Sequence, residues 1–137
     1  MTELSGSILA LDVGTKRIGL ALASYVARIS SPYKTISNDD ATWQTLRDIC
    51  QQEGITQLVV GLPRGLDGQT TAQTEYAESF AHTLAAEVGL PIQLQDEAVT
   101  SRQAEAELAA RGKHFVKGDI DALAAVYILD DYLAERR

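Results

Sequence analysis

Short apolar runs alternate with amphipathic segments along the chain, a pattern typical of proteins that mix strands with helices. Residues 7 to 12 and 17 to 24 are apolar runs joined by Val13-Gly14-Thr15-Lys16, which predicts two strands in a hairpin with the glycine in the turn. The second run alternates large and small side chains, so a helix is expected close over its small face. A third strand over residues 28 to 36 contains Pro32, which predicts an edge strand or a bulge.

Capping residues and glycine or proline stops divide the rest of the chain into further elements. The first is a helix capped by Asp39 or Asp40 that ends near Gly54, and a central strand over 57 to 63 follows it. A helix then runs from the capping box of Thr70 and Gln73 to Val88, followed by a strand over 91 to 97. The last two elements are a helix opened by Thr100 and Gln103 and ended by Gly112, and a final helix from about 119 to 134. The order βββαβαβαα predicts an α/β fold in which helices cover a mixed sheet.

Length and composition fit one domain, because 137 residues with 45% hydrophobic content can bury a core of adequate size. No apolar run approaches the roughly 20 residues that span a bilayer. The N-terminus also lacks the basic-then-apolar order of a signal peptide. We therefore expect a cytoplasmic protein that makes no use of a membrane.

The net charge of −7 argues at first against a nucleic-acid partner, because phosphate-binding domains are usually basic. The acidity is regional, however. Residues 38 to 97 carry ten acidic against two basic residues, whereas residues 1 to 37 and residues 98 to 117 each sum to about +2. Nucleic acid therefore stays open as a partner of the two basic regions.

Acidic residues stand at the ends of several predicted elements. Asp12 ends the first strand, Asp96 and Glu97 end the fifth, and Asp119 and Asp121 open the last helix. Each has a structural interpretation when taken alone: a turn bond, a solvated loop acid or a helix cap. Right-handed crossovers bring the carboxyl ends of parallel strands to one edge, where these acids are expected to converge. Their repulsion calls for a hard divalent cation, Mg²⁺ or Mn²⁺.

Four segments carry a resemblance to a known family: "LALDVGTKRIGLALAS", "LVVGLPRGLDGQ", "LQDEAVTSRQAE" and "GDIDALAAVYILDDYL". Together they resemble the four motifs of the YqgF/RuvX family, in order and over nearly the whole chain. The resemblance implies a ribonuclease H-like fold in a single domain over 1 to 137, a five-stranded mixed sheet of order 3-2-1-4-5 with helices on both faces. It also implies a metal-dependent nuclease that matures the 5′ end of pre-16S ribosomal RNA. The alternative activity is Holliday junction resolution on branched DNA.

The family's acidic triad matches Asp12, Glu97 and Asp121, which the resemblance implies as the catalytic residues and as the ligands of Mg²⁺ or Mn²⁺. Such a triad supports phosphodiester hydrolysis with two metal ions. The chain departs from the family at Ala98, where the family commonly has arginine. Arg102, about one helical turn further on, is a possible substitute for the missing guanidinium.

Substrate binding is expected to come from basic residues near these acids, because phosphate contacts position a nucleic acid. The loop over 61 to 68 has two interpretations: it presents backbone amides to a phosphate, or it only connects a strand to a helix. His82 is expected to be a plain surface residue. His114 lies in the basic loop and could contact a phosphate, although a passive role is favoured. The predicted substrate-binding residues are Lys16, Arg17, Arg64, Arg102, Arg111, Lys113 and Lys117.

Two other classes of function stay open. An actin-like or sugar-kinase nucleotide-binding module would use the same Asp12 hairpin, but it needs a second similar domain to close over the nucleotide. A non-catalytic nucleic-acid-binding adaptor would keep the basic loops without any need for three converging acids. The sequence favours the nuclease. It leaves open RNA or DNA as substrate, and a monomer or a weak homodimer as the active form.

Overall fold

A computed structural model describes residues 6–65, 67–97 and 117–136 of the chain. Strands and helices alternate along these residues much as the sequence predicts. The elements are β1 (Ser7–Val13), β2 (Arg17–Ser24), β3 (Ser31–Ser37), α1 (Thr42–Gln52), β4 (Ile55–Pro63), α2 (Ala72–Val88), β5 (Ile92–Glu97) and α3 (Lys117–Glu135).

The five strands of the described residues form one sheet in the order β3-β2-β1-β4-β5. β1 pairs antiparallel with β2 and parallel with β4, while β3 extends the antiparallel side and β5 the parallel side. The predicted mixed sheet and its strand order are therefore confirmed. Because β1, β4 and β5 are parallel, their carboxyl ends emerge at one edge of the sheet.

β3 is an edge strand, and Pro32 lies opposite Ala21 where the register with β2 shifts. The edge and the bulge expected at this proline are both confirmed. The strand begins at Ser31, three residues later than predicted. Arg28 has a left-handed φ of 55°, and its backbone N donates to the carbonyl of Ser24 in a turn, so the chain does not yet run extended there.

The predicted cap of α1 was wrong. The helix follows Ala41, which has no side-chain capping bond, and neither Asp39 nor Asp40 is the cap. The Oδ1 of Asp39 instead accepts a hydrogen bond from the backbone N of Ala41, and its own backbone N donates to the hydroxyl of Thr42. Asp39 therefore stabilises the turn before the helix instead of capping it. Short polar side chains are suited to either role.

The capping box of α2 lies one residue later than the predicted pair of Thr70 and Gln73. Thr71 is the cap, and Thr74 completes the box with bonds in both directions. Thr70 is engaged elsewhere, because its hydroxyl accepts from Nη1 of Arg64 at 2.7 Å. The prediction found the helix start and missed the cap by one position, since both threonines are suitable residues.

Helices cover both faces of the sheet, as expected. α1 and α2 pack on one face, and α3 packs on the other. The first core includes Leu9, Leu11, Leu46, Leu58, Phe80 and Leu84. The second core includes Ile8, Ala10, Val59, Ile128 and Leu129.

The small face of β2 lies directly under α3. Ala21 and Ala23 pack in the core on the α3 side, and Gly19 continues this face toward the carboxyl edge of β1. A Cβ atom at Gly19 would stand 1.9 Å from the backbone oxygen of Asp121. Only glycine permits such a close backbone approach. Because Gly19 pairs with Asp12 in the sheet, this packing sets the start of α3 beside the end of β1.

α3 begins at Lys117, two residues before the predicted start near Asp119. The helix predicted from Thr100 to Gly112 lies outside the described residues, as does His114. None of the helices in the described part of the chain is long and apolar enough to cross a membrane.

Candidate active site

A cavity of about 370 Å³ opens at the carboxyl edge of β1. The hairpin turn between β1 and β2 forms one wall, and the end of β4 and the starts of α2 and α3 complete it. The lining residues are Asp12, Val13, Gly14, Thr15, Lys16, Arg17, Pro63, Gln73 and Asp121. Four elements that are distant in sequence thus supply one polar cavity.

Two of the three predicted acids, Asp12 and Asp121, line this cavity together. Asp12 ends β1 on the α3 side, and the backbone of Asp121 rests on Gly19, the strand partner of Asp12. Burial raises the pKa of Asp12 from 3.8 to about 6, and repulsion from Asp121 adds to the rise. Two carboxylates that disfavour each other's charge form a centre of negative potential that a cation would relieve.

Arg17 supplies a positive charge to this centre. Its Nε donates to Oδ2 of Asp121 at 2.7 Å, with 38% of the arginine side chain and 18% of the aspartate side chain exposed. Arg17 is the first residue of β2, and its backbone carbonyl accepts from the N of Gly14 across the turn. The residue predicted as a phosphate contact therefore serves here as the counter-charge of a predicted catalytic acid.

Glu97, the third predicted acid, ends β5 at the same edge but does not line the cavity. It pairs with Pro63, a lining residue. It shares a face of the strand with Gln95, whose Nε2 donates to Glu135 of α3 at 2.9 Å, so it lies on the α3 side of the sheet, as Asp12 does. Two strand spacings, about 9 to 10 Å, separate β1 from β5. In residues 6–65, 67–97 and 117–136, no three His, Cys, Asp or Glu side chains form a group that could hold a metal ion.

The other predicted phosphate contacts have different surroundings. Lys16 is exposed at the cavity. The guanidinium of Arg64 is already hydrogen-bonded within the protein. Its Nε and Nη2 donate to Oδ1 of Asp96 at 3.1 and 2.9 Å, and its Nη1 donates to the hydroxyl of Thr70. Lys117 is the first residue of α3. Arg102, Arg111 and Lys113 lie outside the described residues and stay predictions.

The loop after β4 uses several of its amides within the protein. The backbone N of Arg64 donates to the carbonyl of Glu97, that of Gly65 to Gln69, and that of Gly68 to Gly65. These bonds favour the interpretation of the loop as a strand-to-helix connection. The bond from Arg64 also joins the ends of β4 and β5, which holds the backbone of Glu97 at the edge of the sheet.

Sequence reasoning missed the residue that anchors the hairpin turn. Nδ2 of Asn38 donates to the carbonyl of Gly14 and to the hydroxyl of Tyr76, both at 2.8 Å, and its backbone N donates to the carbonyl of Lys16. The turn is thereby fixed to α2. An asparagine directly after a strand is a turn signal, but nothing in its local context indicates such distant partners.

Comparison with known proteins gives a consistent result. A family model described as "RuvX: Holliday junction resolvase" matches residues 6–135. Two curated relatives, from Chloroflexus aurantiacus and Moorella thermoacetica, are each named "Putative pre-16S rRNA nuclease". Both are 41% identical to this chain. The match with the Chloroflexus protein covers 95% of this chain and 88% of that protein. The match with the Moorella protein covers 92% of this chain and 93% of that protein.

Solved structures show the same fold at low identity. RuvC from T. thermophilus, in complex with a Holliday junction substrate, has a TM-score of 0.55 and 15% identity over 96% of this chain and 95% of that chain. A fowlpox virus resolvase, in complex with Holliday junction DNA, has a TM-score of 0.54 and 7% identity over 95% of this chain and 98% of that chain. At these identities the likeness shows the fold alone.

Proposed function

The chain belongs to the RuvX family, and we propose that it is a metal-dependent nuclease that processes the 5′ end of pre-16S ribosomal RNA. The observation that carries the proposal is the meeting of Asp12 and Asp121 in one polar cavity at the carboxyl edge of the sheet. The curated relatives at 41% identity support the choice of RNA, since their names give pre-16S rRNA as the substrate.

The donor set of the cavity fits Mg²⁺ or Mn²⁺. Its acids offer hard carboxylate oxygens, and its described lining residues include neither histidine nor cysteine, the ligands that favour zinc. Asp12, Asp121 and, from the end of β5, Glu97 are the residues we propose to hold the ions. When bound, such ions supply Lewis acidity for phosphodiester hydrolysis.

The protein groups around the acids have separate tasks in this proposal. At pH 7 and above Asp12 is largely ionised, because its pKa of about 6 lies below that pH, so it can act as an oxygen donor. The exposed ammonium group of Lys16 stands at the cavity, where it can contact a phosphate of the substrate. Asn38 holds the hairpin turn that carries Lys16, so the backbone from which the Lys16 side chain extends is fixed in position.

Holliday junction resolution is the second candidate, and the description of the matching family favours it. A four-way junction has two-fold symmetry, so a resolvase is expected to act as a symmetric dimer. Trimming one end of an RNA does not require a dimer, since the substrate has no two-fold symmetry.

Side-by-side cleavage assays distinguish these candidates. Purified protein is incubated with a pre-16S rRNA 5′ fragment and with a four-way DNA junction, in Mg²⁺ and in Mn²⁺. We expect cleavage of the RNA in either ion and none after chelation by EDTA. Preferred cutting of the junction would replace the first candidate by the second. ATP hydrolysis without cutting of either substrate would favour the kinase-like alternative.

Lys16, which is exposed at the cavity, and Arg64, which lies outside it, are expected to differ in nucleic-acid binding. Each phosphate contact that is lost reduces the slope of log affinity against log salt by about 1. Lys16→Gln is therefore expected to reduce this slope by about 1, whereas Arg64→Gln is expected to leave it unchanged, because that guanidinium is held by Asp96 and Thr70. Fluorescence anisotropy of labelled RNA between 50 and 200 mM salt, roughly the range in which such slopes are steep, measures both. Equal slopes for the two variants would contradict the assignment of Lys16.

A further inference from the structure

The ion pair between Arg17 and Asp121 places a protein cation on a carboxylate of the proposed metal site. The contact is direct, at 2.7 Å between Nε and Oδ2, and both side chains line the same cavity as Asp12. Other described ion pairs lie away from this cavity, such as Arg47 with Glu87 between α1 and α2. The feature is therefore specific to the position where the acids meet.

A divalent ion on Asp121 would bring a second positive charge close to the Arg17 guanidinium. Like charges a few Å apart repel, and the repulsion is stronger in a partly buried cavity than in water. The carboxylate oxygen that Arg17 now engages is also one of the two that a cation could use. The two cations therefore cannot both bind this carboxylate without cost.

The side chain of Arg17 can move away from Asp121 while its backbone stays in place. Its backbone is fixed, since β2 pairs with β1 on one side and with β3 on the other, and its carbonyl accepts from Gly14. The side chain is 38% exposed and long, so it can leave Asp121 without any movement of the sheet. A fixed backbone with a movable charged end is suited to exchange between two partners.

We propose that Arg17 is the resident counter-charge of Asp121 and competes with the divalent cation for this carboxylate. The proposal rests on the proposed function, which places the cation there. In metal-free protein Arg17 neutralises Asp121 and holds the start of α3 against the hairpin. On cation binding it is displaced from the carboxylate, so cation affinity is set below the value that the acids alone would give.

Titration of metal-free protein with MgCl₂ or MnCl₂ at constant ionic strength tests this proposal, with thermal unfolding as the readout and no nucleic acid present. Arg17→Gln is expected to lower Tm without metal and to shift the midpoint of cation-induced stabilisation to a roughly three- to fivefold lower concentration. Arg17→Lys keeps the charge and is expected to remain near the wild-type midpoint. Lys16→Gln is the matched control, because it removes the same charge from the same cavity at the adjacent residue.

The outcomes separate this proposal from the proposed function. An unchanged midpoint in Arg17→Gln, or an equal shift in Lys16→Gln, overturns the competition, and the nuclease proposal stands if Asp12→Asn abolishes the cation effect. A wild-type protein that shows no stabilisation by either cation overturns the metal site and the competition together.

Discussion

Replacing Asp12 by asparagine is expected to lower the rate of nucleic-acid cleavage by at least about 100-fold, while the fold is kept. The substitution preserves the size of the side chain and removes only the charge. Because Asp12 and Asp121 supply the acids of the cavity, loss of one leaves too few oxygen donors for a divalent ion. The measurement is single-turnover cleavage of the pre-16S rRNA fragment in Mg²⁺ and in Mn²⁺.

The same variant is expected to be more stable than wild type in metal-free buffer at neutral pH. Asp12 has a pKa of about 6 in the folded protein against 3.8 for the ordinary group, so between these values the folded state binds more protons than the unfolded state. The contribution of Asp12 to the free energy of unfolding of the wild type therefore falls as pH rises from about 4 to 6. Asp12→Asn lacks this loss, which corresponds to about 2 to 3 kcal/mol above pH 6. Urea unfolding from pH 4 to 8 measures the difference, which is expected to vanish near pH 4.

Asp96→Asn is the matched control for both effects. Asp96 stands at the same edge of the sheet, but its side chain is 67% exposed and pairs with Arg64 outside the cavity. It is expected to keep wild-type cleavage and to lose at most about 1 kcal/mol of stability. Cleavage that survives in Asp12→Asn would remove the proposed site. An Asp12→Asn protein less stable than wild type at pH 8 would assign Asp12 a structural role.

Gly19→Ala is expected to reduce the free energy of unfolding by about 3 kcal/mol or more and to abolish most of the cleavage activity. The added Cβ would stand 1.9 Å from the backbone oxygen and 2.2 Å from the carbonyl carbon of Asp121. Neither strand nor helix backbone can yield by a side-chain rotation, so the start of α3 has to move away from β2. Asp121 would then leave the cavity that it shares with Asp12. Chemical unfolding and single-turnover cleavage measure the two effects.

Gly61→Ala provides the comparison, since Gly61 also faces α3 from a central strand. Its added Cβ would meet the flexible Cδ1 of Ile128 at 2.4 Å, so a rotamer change can relieve the clash. We expect a loss of about 1 kcal/mol and nearly normal cleavage. Equal losses of activity in the two variants would show that general packing under α3, and not the position of Asp121, controls the site.

Much of the fold was predictable because local pattern and global architecture agree in this chain. The alternation of large and small residues in β2 predicted a helix over its small face, and α3 lies there. Pro32 predicted an edge or a bulge and occupies both. The errors are at element ends, as with Asp39 and Thr70, where neighbouring polar residues are equally suitable caps and only the surrounding contacts decide between them.

The candidate site divides in the same way. The sequence by itself determined that strand ends and a helix start carry acids, and parallel connections then required Asp12 and Glu97 to reach one edge. Only the tertiary structure decided that Asp121 shares a cavity with Asp12. It also decided the two ion pairs, Arg17 with Asp121 and Arg64 with Asp96. Periodicity specifies which face a residue occupies. Partners across elements depend on distances of a few Å, and for Asp121 these distances are set by how closely α3 can approach Gly19.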